Sequence, residues 1–167
     1  MRDKGIGELL EAMKAVHEKH PKTSLDVVGG FDENYKEVME EAEKTGFIRY
    51  HGRQKEVHEF YKNAHCTVLP SYHEGKANVM LESASTGRPV ITTRVPGCRE
   101  TFDEGVTGIG CGAKSAASLE EAMEKFLTLT SEKRADMGRR GRAKMEKEYD
   151  RDIVVRAYRE EIGKTLR

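Results

Sequence analysis

Two carboxylates flank a short turn in the stretch Pro70-Ser71-Tyr72-His73-Glu74-Gly75-Lys76-Ala77-Asn78-Val79-Met80-Leu81-Glu82. The stretch leaves a β-type run, Cys66 to Leu69, crosses a loop and enters a helical pattern. In open parallel sheets ligands collect beyond the carboxyl ends of strands, and backbone N–H groups at a helix start can hold an anion such as phosphate. Gly75 permits close backbone approach, and Asn78 is a good helix N-cap by residue type. Glu74 precedes the helix and would face a ligand cleft. Glu82 lies just over one turn inside it and could return to the same cleft mouth. Ionised carboxylates accept paired hydroxyl hydrogen bonds of the kind a sugar or ribose offers. On spacing alone, two solvated surface charges explain the pair equally well.

The elements that must position these residues alternate along the chain. Ile6, Leu9, Leu10, Met13 and Val16 predict an amphipathic helix ending near His20-Pro21. Leu25 to Val28 reads as a strand, Tyr35 to Ala42 as a helix, Phe47 to His51 as a strand. Val57 to Ala64 is a helical stripe, Cys66 to Leu69 a strand, and a helix from about Asn78 stops at Gly87, a residue suited to a left-handed terminus. Strands at Pro89–Thr93 and Thr107–Cys111 follow. Ser118 and Glu121 have capping-box spacing ahead of a helix, Gly138 and Gly141 weaken any helix between 131 and 149, and Asp150 can cap a final helix. The expected class is α/β, a doubly wound parallel sheet with helices on both faces. Because the chain opens on a helix, the normally central first strand is expected to be missing, with a gap, an exchanged strand or reduced stability at the centre of the sheet.

Composition narrows the function. The chain has 167 residues, with 29 basic and 29 acidic side chains. That balance argues against a nucleic-acid partner, which would favour a basic excess. Three cysteines, Cys66, Cys98 and Cys111, make no CxxC pair, so a reducing cytoplasm is the simplest setting. No apolar run is long enough for a membrane span, and the amino terminus lacks a signal-peptide core. The segment Glu132–Glu148 carries seven basic and four acidic residues; it reads as a solvated helix face, or as a peripheral contact with anionic lipid. Gly29-Gly30 after a strand suits a phosphate-side turn, but no GxGxxG follows, which disfavours a nicotinamide enzyme. The histidines form no metal-ligand constellation, so neither metal nor cofactor is expected.

The order of motifs adds what spacing cannot. Glu74 and Glu82 resemble the E-x7-E motif of the retaining glycosyltransferases with two Rossmann-like domains, often called group 1. Asp3-Lys4-Gly5-Ile6 is similar to the segment opening that family's second domain, and Gly87-Arg88-Pro89-Val90-Ile91 to its following strand. Pro96 to Glu100 and Asp103 to Gly108 resemble its next loop and turn. The resemblance covers essentially the whole chain. It implies that residues 1–167 are a Rossmann-like, nucleotide-sugar-binding domain, the C-terminal half of a two-domain enzyme. Glu82 would then hold ribose hydroxyls, Glu74 would contact the donor sugar near the reacting carbon, and the backbone of Gly75, Lys76, Ala77, Asn78 and Val79 would approach sugar and diphosphate.

By the same resemblance, Lys4 would neutralise the departing diphosphate, and Gly52 and Arg53 would lie beneath the nucleotide base through backbone contacts; Gly29 joins the substrate-binding candidates by its place in the phosphate-side turn. Lys76-Ala77 departs from the usual apolar-then-small pair. The family's partner arginine, the strand carrying it and the acceptor domain would all precede Met1. The implied parent transfers a sugar with retention to a glycan or lipid-linked acceptor, and this chain alone would be silent. The alternatives are a non-catalytic sugar-nucleotide-binding module and a related nucleotide-sugar hydrolase or epimerase.

Overall fold

A computed structural model describes residues 2–30 and 35–165 of the chain. A 3-10 turn, Arg2–Lys4, leads into α1 (Ile6–Lys19), followed by β1 (Leu25–Val27), α2 (Lys36–Glu43), β2 (Ile48–Tyr50), α3 (His58–Asn63), β3 (Thr67–Leu69) and α4 (Asn78–Ser85). Then come β4 (Val90–Thr93), a second 3-10 turn (Arg99–Thr101), β5 (Gly108–Cys111), α5 (Ala116–Thr128), α6 (Ser131–Glu148) and α7 (Arg151–Thr165). All pairings are parallel, β1 with β2 and β3 with β4 with β5. The alternating α/β architecture is the Rossmann-like one expected. The expected central break is present: among the described residues, no ladder joins β1 to β3.

The core runs across that division. Leu9, Met13 and Val16 of α1 recur at helical spacing and share one buried cluster with Ile48 of β2, Ile91 of β4 and Phe126 of α5. Each such side chain, once buried, contributes roughly 1.5–3 kcal/mol of transfer free energy. The α1 helix ends at Lys19; its C-cap His20 (φ −130, ψ 75) leaves the helical region just ahead of Pro21 and returns its N–H to the Val16 carbonyl. Every residue of β4 and β5 is buried, whereas β1 and β3 are covered only in part.

Three expectations are corrected. Ala77, not Asn78, is the N-cap of α4; Asn78 is the first helical residue and makes no side-chain cap. The α5 helix starts a turn earlier than the capping-box spacing implied. Ser115 is its cap, accepting the Ser118 N–H at 3.1 Å, and Ser118 lies inside the helix. The region 131–148 is one continuous helix despite Gly138 and Gly141. Those glycines face α4: a Cβ on Gly138 would collide with the Gly87 carbonyl, and one on Gly141 would lie 3.6 Å from the Ala84 Cβ. Close helix packing therefore outweighs their poor propensity. On α7 the apolar residues are exposed, Tyr158 at 68% and Ile162 at 56%. No helix among the described residues is long and apolar enough to cross a membrane.

Candidate functional site

The candidate residues gather where the parallel strands end. β3 delivers Pro70 and Ser71 into a loop tied down on three sides. The Tyr72 N–H donates to the Asp3 carbonyl at 2.8 Å, and the Ala77 N–H to the Gly97 carbonyl at 3.0 Å. Thr93 Oγ1 donates to the Ser71 carbonyl at 2.6 Å in a buried position. Two glycines with left-handed backbones let neighbouring chains come this near. A Cβ on Gly5 (φ 68) would strike the Pro70 carbonyl, and one on Gly97 (φ 84) the Glu74 carbonyl. Only glycine adopts those angles beside such close backbone without strain.

Within this cradle the Glu74 carboxylate is nearly enclosed, its side chain 12% exposed. Its Oε1 accepts from Lys4 Nζ at 2.6 Å and from the fully buried Ser71 Oγ at 2.7 Å. The fold thus brings together Lys4 and Glu74, which stand 70 positions apart. Lys4 itself is half exposed. Two donors on one oxygen leave Oε2 and the outer side of the ammonium for a ligand. Tyr72, beside them, donates its hydroxyl to Glu8 Oε1, and that bond, with some desolvation, pushes the phenol up to about 12.

Glu82 is exposed on α4 and shares no described hydrogen-bond partner with Glu74. Its Oε2 accepts from Tyr61 Oη of α3 at 2.8 Å. Desolvation of the half-buried phenol, reinforced by that bond, raises the Tyr61 pKa. Between the two glutamates, the N–H groups of Gly75, Lys76 and Val79 have no hydrogen-bond partner among the described residues. Gly75 borders open space. Ala77 is buried, while Asn78 and Val79 are exposed. Lys76 is exposed too, with Nζ 4.7 Å from the ring centroid of Tyr149. That contact explains how a lysine is held at a position expected to be apolar.

The ends of β1 and β2 are locked to each other. The Gly29 N–H donates to the Gly52 carbonyl at 2.9 Å, and Tyr50 Oη to the Gly29 carbonyl at 2.7 Å. Gly52 is left-handed (φ 65), and Arg53 is exposed. Among the described residues, no cluster of His, Cys, Asp and Glu could hold a metal ion. A recess lined by residues such as Val106, Leu129, Lys133 and Met137 includes none of the candidate residues. Sequence reasoning missed Ser71, Tyr61 and the cradling role of Gly97. A serine three residues before a glutamate and a tyrosine in an apolar stripe carry no signal of their own; only the fold reveals their contacts.

The model of the family described as glycosyl transferases group 1 matches residues 1–144. A Campylobacter jejuni N,N'-diacetylbacillosaminyl-diphospho-undecaprenol alpha-1,3-N-acetylgalactosaminyltransferase is 28% identical over 155 residues; the match covers 93% of this chain and 40% of that protein. The C-terminal domain of a group 1 glycosyl transferase (LpcC) from Francisella tularensis superposes with a TM-score of 0.79 at 20% identity, covering 90% of this chain and 82% of that one. Anabaena HepE, solved in complex with UDP-glucose, superposes with a TM-score of 0.81 at 20% identity, covering 99% of this chain and 46% of that one.

Proposed function

The chain belongs to the glycosyl transferases group 1 family, and on that premise we propose that it binds the nucleotide-sugar donor of a retaining transferase. In this reading it is the C-terminal, donor-binding domain of a longer enzyme, whose other half carries the acceptor, a glycan or lipid-linked sugar. The observation that carries the proposal is the enclosed Lys4–Glu74–Ser71 group beside the unpartnered amides of Gly75, Lys76 and Val79.

The donor's diphosphate would meet those amides and the start of α4, where fixed dipoles favour an anion without reorganisation. Lys4 would turn from Glu74 toward the phosphate and stabilise charge as the bond to the sugar breaks. Glu74, oriented by Ser71, would accept hydroxyls of the donor sugar near the reacting carbon. Glu82, steadied by Tyr61, would accept the ribose hydroxyls, with Gly29, Gly52 and Arg53 along the nucleotide. The UDP-glucose complex of the Anabaena protein supports a uridine nucleotide as the first probe. Ammonium, amide and carboxylate groups supply the chemistry without a metal.

Calorimetric titration with UDP, GDP, ADP and their glucose conjugates tests the assignment. We expect binding of at least one pair, weakened roughly 10- to 100-fold in Glu82→Ala, the scale of a lost hydrogen bond to a charged group. Affinity unchanged by that substitution would remove Glu82 from the ribose. No sugar transfer is expected from the isolated chain, because no acceptor-positioning face opposes the site in this reading; robust transfer would overturn the division of labour.

A further inference from the structure

We propose that Lys76 selects the donor sugar by charge. Resting on the donor-binding reading, the preferred donor is a nucleotide hexuronate, whose sugar carboxylate meets the Lys76 ammonium. The side chain is a full cation at a position expected to be apolar, next to Gly75, which borders open space. The N–H groups of Gly75, Lys76 and Val79 have no hydrogen-bond partner among the described residues. Lys76 therefore stands in the loop that presents free donors to a ligand, just after the Glu74 carboxylate.

Its ammonium has no acid of its own. Lys76 Nζ lies 4.7 Å from the ring centroid of Tyr149 and forms no ion pair with a described carboxylate. The acids beside that ring are committed to other groups. Glu100 accepts from Arg99 Nε at 2.9 Å and from the Gly97 N–H at 2.7 Å. Asp103 and Glu148 both pair with Lys144, at 3.0 Å and 2.9 Å. Tyr149 is fixed in turn, its Oη donating to the Glu100 carbonyl at 2.7 Å. An aromatic face steadies an exposed ammonium only weakly and leaves its charge uncancelled. Lys76 is thus a compact positive charge on a flexible stem, seated but not neutralised.

The seat belongs to the same scaffold as the reacting end. Gly97, whose N–H is held by Glu100, accepts from the Ala77 N–H at 3.0 Å, and a Cβ on it would strike the Glu74 carbonyl. Tyr149, Glu100 and Gly97 therefore support the loop on both sides of Lys76. A sugar held by Glu74 and the neighbouring amides comes within reach of an ammonium that needs only to rotate off the ring. A neutral hexose offers this charge hydroxyl dipoles alone. A hexuronate offers a counter-charge, and selectivity is that difference in affinity. Lys114 supplies the contrast: its Nζ also rests over a tyrosine, 5.2 Å from the Tyr72 centroid, but it follows β5 and lies outside the loop.

Calorimetry on the full chain compares UDP, UDP-glucose and UDP-glucuronate, with GDP, GDP-mannose and GDP-mannuronate as a second set. For the nucleotide that binds, we expect the hexuronate at least about fivefold tighter than the hexose at low salt, the preference shrinking as salt is added. Lys76→Met should bring the ratio to about one, Lys76→Arg should keep it, and Lys114→Met should leave it unchanged. Both affinities come from one preparation, so partial unfolding of a variant cancels from the ratio. Equal affinities for hexose and hexuronate in the parent chain overturn the proposal and leave the donor-binding reading standing. A Lys76→Met loss that falls equally on the bare diphosphate and both conjugates also overturns it, because the ammonium would then serve the diphosphate. So does a ratio lowered as much by Lys114→Met, since the preference would belong to the field of the whole edge. Failure of every nucleotide to bind overturns the donor-binding reading, and this inference with it.

Discussion

The enclosed carboxylate of Glu74 depends on residues that do no chemistry themselves. Ser71 supplies a buried donor to Oε1, and Gly97 lets a second backbone pass directly over the Glu74 carbonyl. Gly97→Ala adds a methyl where the carbonyl already stands, at a backbone angle that disfavours any side chain. We expect a stability loss of about 1–3 kcal/mol, the scale of backbone strain and overpacking, together with loss of nucleotide-sugar binding. Denaturant melts and calorimetry on one preparation would read both. Ser71→Ala should be milder in stability, about 1 kcal/mol for one hydrogen bond, but should still weaken donor binding because the carboxylate loses its fixed orientation. Stability and affinity both equal to the parent's would mean that Lys4 alone positions Glu74.

At the scale of elements, two glycines of α6 make opposite predictions from the same substitution. Alanine is favoured over glycine by about 1 kcal/mol in a helix interior. At Gly141 a new Cβ meets Ala84 at 3.6 Å, an ordinary contact, so Gly141→Ala should stabilise by about 0.5–1 kcal/mol. At Gly138 it would run into the Gly87 carbonyl, so Gly138→Ala should destabilise despite its better propensity. Urea unfolding of the two variants decides the sign in each case. The same pair shows what the sequence could and could not disclose. Apolar periodicity made α1, α2 and the strands legible, because their spacing reflects one buried face. The E-x7-E spacing and its neighbouring motifs disclosed the candidate site in outline. Gly138 and Gly141 read as weak points because propensity is local, whereas their function is approach to α4. Ser115 and Ser118 are both good caps by type, and only the backbone shows which one begins the helix. The bonds Ser71–Glu74 and Tyr61–Glu82 were invisible because they depend on how separate segments meet.

At the scale of the molecule, the larger of the two core clusters draws on both of the ladders found among the described residues, and the division between those ladders has consequences for how it opens. The ladder β3–β4–β5 has two strands buried throughout, while β1–β2 is short and half covered. Across the smaller ladder the main polar tie is Asp26, which accepts from Arg49 Nε at 2.9 Å and Nη2 at 3.1 Å and bonds His51 Nε2 at 2.7 Å. The Arg49 hydrogen bonds hold the Asp26 carboxyl below its ordinary value of 3.8, against some desolvation and with help from His51. A depressed folded value means that this tie contributes fully above the unfolded carboxyl's pKa and is lost as pH falls through the folded one. Because the pair is partly exposed, its worth is modest, within about 1 kcal/mol. Native-state exchange should therefore show the amides of β1 and β2 opening at lower free energy than those of β4 and β5 at neutral pH. The gap should widen below about pH 4, and Asp26→Asn should show the small-ladder weakness already at neutral pH with little further change on acidification. Equal opening free energies for both ladders would mean that the shared core couples them into one cooperative unit, and that the break in the sheet is mechanically silent.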